Sequence, residues 1–449
     1  MSIDHLSKRS NQSKFFLLRF INEWLYNTGT HLIALSFALF SLVGRWGEGR
    51  LFGVDTDNIS LEWKFIFQPR SWFMLILFFC SLLFFRTIRT DRFAQSGQDY
   101  LVRIEHRKKV LLILQLSLFI FLIISSTFTF YSEALLTKLY DCVLIILFIL
   151  SAFIISAMKN RYELLYWIWF YMVSIAFLLF IFSLPNIFRG GVIESDGTER
   201  LSALGGGPNV FVRYVSLCLI NSLYLFIHTR RLRHAVVIPL FIFAIFLSGS
   251  RGGMIAIMIS IVVMFYLERK YIKKYTFKIL MAICFSIVTI AFITPNLVKR
   301  TYNIIERRII IKTIEQGSSS GRDEIFYRAY THGLESPIWG HGLASWQNNG
   351  EGTNYPHNLF LELFYESGLF GVILCALAIF LSFITMRFIR KKSNANSKYI
   401  CFTIMILIAS MFSGDIFDTR CLFAMLFFLC VPDLKTQYPS NNSNKKIHI

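Results

Sequence analysis

The stretch VLLILQLSLFIFLIISSTF, from Val110 to Phe128, decides the fold class. It holds no charged residue, and it approaches the roughly 20 residues a helix needs to cross the hydrocarbon core of a bilayer. Trp72 to Phe85, Leu139 to Met158, Leu164 to Leu184 and Ile279 to Ile293 read the same way. Each run is continuous, whereas lipid-facing barrel strands alternate apolar and polar residues, so spanning helices are expected and a porin-like barrel is excluded. The whole chain agrees: of 449 residues, 55% are hydrophobic and 16% charged, far more apolar than a soluble domain. The eight cysteines stand singly, mostly inside apolar runs, and read as small hydrophobes rather than disulfide partners or metal ligands. Met1 to Lys14 is polar and basic, and the first apolar run ends at Gly44-Arg45 without a small-residue cleavage site. An anchored helix is expected there rather than a cleaved signal.

Twelve spans are predicted, at 30–45, 71–86, 110–130, 139–158, 163–184, 210–227, 235–248, 252–267, 278–294, 369–388, 399–413 and 420–432. With the amino terminus in the cytoplasm, 29 Lys and Arg fall on inward segments and 16 on outward ones. Seven of the latter lie in one long loop, where charge has little say in orientation. Both termini are therefore expected inside. The net charge of +19 follows from topology, with Arg103 to Lys109, Arg230 to Arg233 and Arg387 to Lys392 facing anionic lipid. No soluble basic domain is left to bind nucleic acid. The expected architecture is an all-α, polytopic transmembrane bundle. A cytoplasmic segment, 1–29, leads into spans one to nine, 30–294. A large, partly helical external loop follows at 295–356, before the last three spans, 357–432, and a cytoplasmic tail, 433–449.

Residues that a plain bundle does not need mark where function is sought. The external loop combines Arg300, Arg307, Arg308, Lys312, Arg322 and Arg328 with many aromatic residues, and Ser318 to Gly321 followed by Arg322 to Tyr330 reads as a cap and a short helix, ended by Gly333, Pro337, Gly340 and Gly342. Aromatic faces suit sugar rings, and guanidinium forks suit phosphate oxygens. His357 opens the next membrane segment, and a neutral imidazole there can take a proton from an attacking hydroxyl; the alternative is an ordinary interfacial histidine. Asn358, Glu362 and Glu366 follow it. Arg251 sits in the tight turn Ser248-Gly249-Ser250-Arg251-Gly252-Gly253, where the bland reading is a charge reaching for water. Arg213 lies inside a span, which is costly unless it faces a cavity or an anion. Arg200 belongs to the polar loop Arg189 to Gly207.

Gly207-Pro208-Asn209 with Arg213, the Ser248 to Gly253 turn, Gly321-Arg322 with Pro337 and Gly340-His341-Gly342, and His357-Asn358 with Glu362, Glu366, Gly368 and Gly371 together resemble the O-antigen ligase and O-antigen polymerase superfamily. The resemblance covers about residues 185 to 375. It implies a largely helical membrane fold in the bacterial inner membrane and an inverting glycosyltransferase whose site faces the periplasm. The implied donor is a saccharide on undecaprenyl pyrophosphate. On that reading Arg213, Arg251, Arg322 and Arg200 contact the pyrophosphate or donor saccharide, and His357 is the base, supported by Asn358 and Glu362. Fixed guanidinium charges take the part of a divalent cation, so neither metal nor other cofactor is expected. Asp55-Thr56-Asp57, in the first external loop, stands against that as a possible seat for a hard cation.

A polymerase joins one lipid-linked repeat unit to another, whereas a ligase passes the polymer to lipid A core. The 47 phenylalanines, with abundant Ile, Lys, Asn, Ser and Tyr, suggest an AT-rich gene, as is frequent for surface-polysaccharide clusters that encode their own polymerase. The polymerase reading is therefore placed first. Its expected partners are the lipid-linked oligosaccharide and a chain-length regulator; for a ligase the partner is the core acceptor. The rival from another class is a lipid-linked saccharide transporter. It is disfavoured because the halves show no repeat and no polar pattern is apparent near mid-membrane.

Overall fold

The computed structural model describes residues 27–43, 68–88, 98–158, 160–189, 192–193, 199–200, 207–272, 295–306, 311, 321–351, 353, 355–391 and 397–432. The described chain is built of helices joined by turns, with one two-residue antiparallel ladder. Helix α1 covers 27–42. It is followed by α2 (Pro69–Ile88), α3 (Gln98–Ser125), α4 (Glu133–Ala157) and α5 (Arg161–Arg189). The ladder pairs β1 (Val192–Ile193) with β2 (Glu199–Arg200). Then come α6 (Pro208–Thr229), α7 (Leu232–Leu247), α8 (Arg251–Leu267), α9 (Arg269–Ile272), α10 (Pro295–Ile305), α11 (Arg322–Gly333), α12 (Ser345–Asn348), α13 (Leu359–Arg390), α14 (Ser397–Ala409) and α15 (Arg420–Phe428).

Among the described residues, five helices are long and apolar enough to cross a membrane, namely Tyr100–Phe128, Glu133–Ala157, Arg161–Pro185, Pro208–Thr229 and Leu359–Arg390. Four shorter apolar helices, Pro69–Phe84, Leu232–Leu247, Arg251–Leu267 and Ser397–Ala409, accompany them. The expected span at 278–294, residues 1–26 of the amino-terminal segment and the tail 433–449 lie outside the described residues. Leu83 (66% exposed), Ile113 (62%), Phe182 (67%), Val262 (66%) and Phe380 (63%) all point outward. Surfaces of this kind are intolerable in water and natural in lipid.

Helices α1 and α15 meet in the middle of the bundle. Every residue of α15 is buried, and Phe37 of α1 packs on Phe148 of α4 and Phe428 of α15 with ring centroids 4.8 and 5.2 Å apart. A helix apolar on all sides belongs in such a core. Around it α3 packs on α13, α2 on α4, α6 on α7 and α5, and α8 on α14.

Helix starts follow local chemistry. Ser132 caps α4 by accepting from the Leu135 N–H at 3.1 Å, with Glu133 in the positive first turn. Pro208 fills the first position of α6, where no N–H is needed. The short helix expected after Ser318 to Gly321 is present as α11, preceded by Gly321 in the left-handed conformation. The seven described cysteines are free. One expectation needs correcting: within the basic cluster 103–109, Lys108 does not face outward. It is buried, with Nζ on Glu105 at 2.9 Å and on the Ser156 carbonyl at 2.8 Å.

Candidate functional site

Arg213, the start of α8 at Arg251 and the segment His357-Asn358 meet around the turn that joins α14 to α15, residues 410–419. Arg213, in the second turn of α6, donates from Nη1 to the Asp418 carbonyl at 3.0 Å and from Nη2 to the Ser413 carbonyl at 2.8 Å. Its Nε is buried without a hydrogen-bond partner. The turn can close over the guanidinium because Gly414 is left-handed (φ +86°) and lacks a Cβ, which would stand 3.1 Å from Nη2. A small cavity of about 40 Å³ opens there, lined by Arg213, Tyr214, Asp418 and Arg420 among others.

Arg251 begins α8. Ser250 caps it by accepting from Gly253 N–H at 3.2 Å, and the Ser250 hydroxyl donates to Asn209, next to the start of α6. A Cβ on Gly252 would stand 2.6 Å from Phe412 Cγ, and one on Gly253 2.6 Å from Val212 Cγ1. Those two glycines therefore let the start of α8 sit against both the Arg213 helix and the 410–419 turn. Arg200 is placed by its backbone, in β2.

His357 sits just before α13 in a left-handed conformation (φ 60°). Asn358 caps the helix, its Oδ1 accepting from Phe360 and Leu361 N–H at 3.0 and 3.2 Å and its Nδ2 donating to the Met411 carbonyl at 3.2 Å. The Leu359 N–H also donates to the Ser410 carbonyl, so the segment carrying His357 is stitched to the same turn that grips Arg213. The Tyr355 ring meets the imidazole edge-on, centroids 4.6 Å apart. His357 Nδ1 is buried without a partner. Burial, and then the positive charge of Arg322, hold the imidazole below its ordinary pKa, so it is neutral at neutral pH. Burial pushes the Tyr355 phenol up, and Asp418, Asp415, Arg213 and Glu362 are all within electrostatic reach of it. Tyr355 thus lies between His357 and the Arg213 turn. This arrangement unites a neutral base with guanidinium groups suited to an anionic leaving group.

Residues 234–376 match the family model described as O-antigen ligase. No curated protein matches the sequence. The matched stretch runs from α7 to the middle of α13, and it contains Arg251, Arg322, His357, Asn358 and Glu362, while Arg200 and Arg213 precede it.

Within the matched region, α13 is broken. Gly368 has φ 64°, ψ −164°, outside helical geometry, and divides a half-helix, 359–367, from the long remainder. The turn Pro337 to Gly342 fills the break. His341 and Gly342 N–H donate to the Tyr365 and Glu366 carbonyls, each at 2.9 Å, while Leu369 and Phe370 N–H donate to the carbonyls of Pro337 and Ile338 at 2.8 and 3.3 Å. A Cβ on Gly340 would stand 2.5 Å from Glu366 C and Ser367 N, which is why glycine occurs on both sides of this contact.

Sequence reasoning passed over the buried charges. Reading Leu139 to Met158 as uniformly apolar missed Asp141, which pairs with Arg70 at 3.3 Å, both buried. Lys138 pairs with Glu362 at 2.8 Å and with Glu366. Arg420 is buried and donates to the carbonyls of Phe40, Phe417 and Val43 at 2.8–2.9 Å. The Arg70–Asp141 pair corrects the expectation that Leu139 to Met158 carries no charge. The signal was present as charges abutting apolar runs, at 138, 141, 415, 418 and 420. Among the described residues no group of three or more His, Cys, Asp or Glu is arranged to hold a metal ion, and Asp55 and Asp57 lie outside them.

Proposed function

We propose that this chain is a multi-pass membrane glycosyltransferase that takes a saccharide from a polyprenyl pyrophosphate at the end of the bundle bearing His357. What supports the reading is the grouping of His357, Tyr355 and Arg322 beside the turn that grips Arg213, in a chain with an O-antigen ligase domain. The acceptor hydroxyl attacks the anomeric carbon, the bond from that carbon to the phosphate oxygen breaks, and the configuration inverts. The hydroxyl proton passes to a nitrogen of neutral His357, and the polyprenyl pyrophosphate leaves as an anion. Arg322, Arg251 and the free Nε edge of Arg213 supply fixed positive charge where negative charge grows, with Arg200 as a further donor contact. Asn358 and Glu362 hold the half-helix that presents His357.

In this proposal the site faces the periplasm and both termini the cytoplasm of a bacterial inner membrane, with twelve spans in all. The acceptor is a second lipid-linked repeat unit, which makes the protein an O-antigen polymerase. The test uses purified protein in lipid nanodiscs with synthetic undecaprenyl-pyrophosphate repeat units. A ladder from the donor alone supports the polymerase. Product only on adding lipid A core moves the assignment to a ligase, and no product with either acceptor overturns the transferase reading. His357→Ala is expected to abolish product while leaving the protein inserted and monodisperse; near-normal turnover removes His357 from the mechanism.

A further inference from the structure

Lys138 lies on α4, outside the family domain, and takes no part in the chemistry described above. Its ammonium is fully enclosed, with Glu362 Oε1 at 2.8 Å and Glu366 one helical turn further on. Asp415, from the 410–419 turn, is within electrostatic reach of the same ammonium. Two carboxylates thus hold one ammonium with a third in electrostatic reach, and Glu362 Oε2 is buried with no hydrogen-bond partner. Two of the three belong to the half-helix 359–367, and the third belongs to the turn that grips Arg213. The break at Gly368 deprives that half-helix of continuous support from the rest of α13, so its position depends on what holds it from the side.

We propose that Lys138 is a positioning residue for glycosyl transfer, a charged brace from α4 that keeps the His357 half-helix and the Arg213 turn in register. The inference rests on the transferase reading. Without the ammonium, Glu362 and Glu366 lose the group that ties them to α4 and repel each other and Asp415 until they take up protons, and the half-helix and the turn separate. Neutralising the carboxylates at the same time removes that repulsion.

The experiment compares wild type, Lys138→Met and the triple variant K138M/E362Q/E366Q, full length in nanodiscs. It reads donor kcat and KM per monodisperse protein, and amide hydrogen exchange over 359–367. Lys138→Met is expected to lower kcat at least 30-fold with donor KM within threefold, and to speed exchange over 359–367 at least tenfold. The triple variant is expected to recover at least tenfold in kcat and to restore slow exchange. Unchanged kcat or unchanged exchange in Lys138→Met overturns the brace. Slow exchange restored in the triple variant without recovery of kcat also overturns it, since the glutamates then act directly. A wild type that forms no product overturns the transferase reading, and with it the positioning role; exchange alone then reports whether Lys138 holds the half-helix.

Discussion

Gly368→Ala tests the broken helix most directly, because the cost of the substitution can be worked out and a matched control exists. At φ 64°, ψ −164° the backbone occupies a region open essentially to glycine, and a side chain there costs about 1–3 kcal/mol. The added Cβ would also stand 2.7 Å from the Gly340 amide nitrogen and closer still to the Ile338 carbonyl, both rigid backbone. Relief requires the Pro337 to Gly342 turn to withdraw, which breaks hydrogen bonds such as Leu369 N–H to Pro337 O at 2.8 Å and His341 N–H to Tyr365 O at 2.9 Å. At about 1 kcal/mol net for each bond, the total reaches about 3–5 kcal/mol. Gly321 is also left-handed, at φ 76°, but a Cβ there would meet nothing within 4 Å, so Gly321→Ala costs only about 1–2 kcal/mol. At about 1.4 kcal/mol per decade, the unfolding equilibrium should shift by roughly two to four decades for Gly368→Ala against about one for Gly321→Ala. Reversible unfolding in mixed detergent measures both. Equal shifts for the two variants would refute the argument that the turn is wedged into the break.

The pH dependence of transfer should follow His357. Its depressed pKa leaves the base competent down to pH values below the ordinary imidazole range, and turnover should fall only as pH drops through that lowered value. Arg322→Gln removes one depressing cause, so the acid limb of the rate profile should move to higher pH; a limb that stays put breaks the link between the two residues. Arg420→Met strips donors from the buried carbonyls of Phe40, Phe417 and Val43, at about 1–3 kcal/mol for each acceptor left unpaired. Detergent-solubilised protein should lose stability by about 3 kcal/mol or more, and Arg420→Lys should not restore it, because an ammonium cannot fork to three separate carbonyls. Asp141→Asn leaves buried Arg70 without its ion partner and should cost about 3–5 kcal/mol, read as a shortened half-life at a fixed temperature; an unaltered half-life would show the pair to be dispensable.

The fold was legible where one property repeated over many residues. Uncharged runs such as Val110 to Phe128 give helices because a buried backbone in lipid has few other ways to satisfy its hydrogen bonds. The glycine and proline punctuation from Gly333 to Gly342 did mark the end of α11. Its further role, filling a break twenty-six residues beyond Gly342, is a tertiary fact that no local pattern encodes. His357 and Arg322 could be singled out as odd residues, but their proximity could not. Lys138 and Arg420 were harder, since each sits at the edge of an apolar run and resembles the ordinary charge that ends a span. Only packing shows that these ends turn inward.

That inward turn has one physical reason. Helices that stop inside an apolar bundle leave terminal carbonyls with no water to accept from, and an arginine can serve several at once. Arg420 does this for Phe40 and Val43 at the end of α1, and Arg213 does it for Ser413 and Asp418 in the turn before α15. Such arginines are therefore committed mainly to the backbone. Among the described residues, the buried atoms with capacity left over include Arg213 Nε, His357 Nδ1 and Glu362 Oε2. An unpartnered polar atom in a low-dielectric interior is costly, and three of them lie around the same turn and half-helix. A donor's phosphate oxygens and an acceptor's hydroxyl are the groups that would satisfy Arg213 Nε and His357 Nδ1. On that account the residues worth mutating for chemistry are those whose hydrogen-bonding capacity is unfilled, while the saturated Arg420 should affect stability far more than donor recognition.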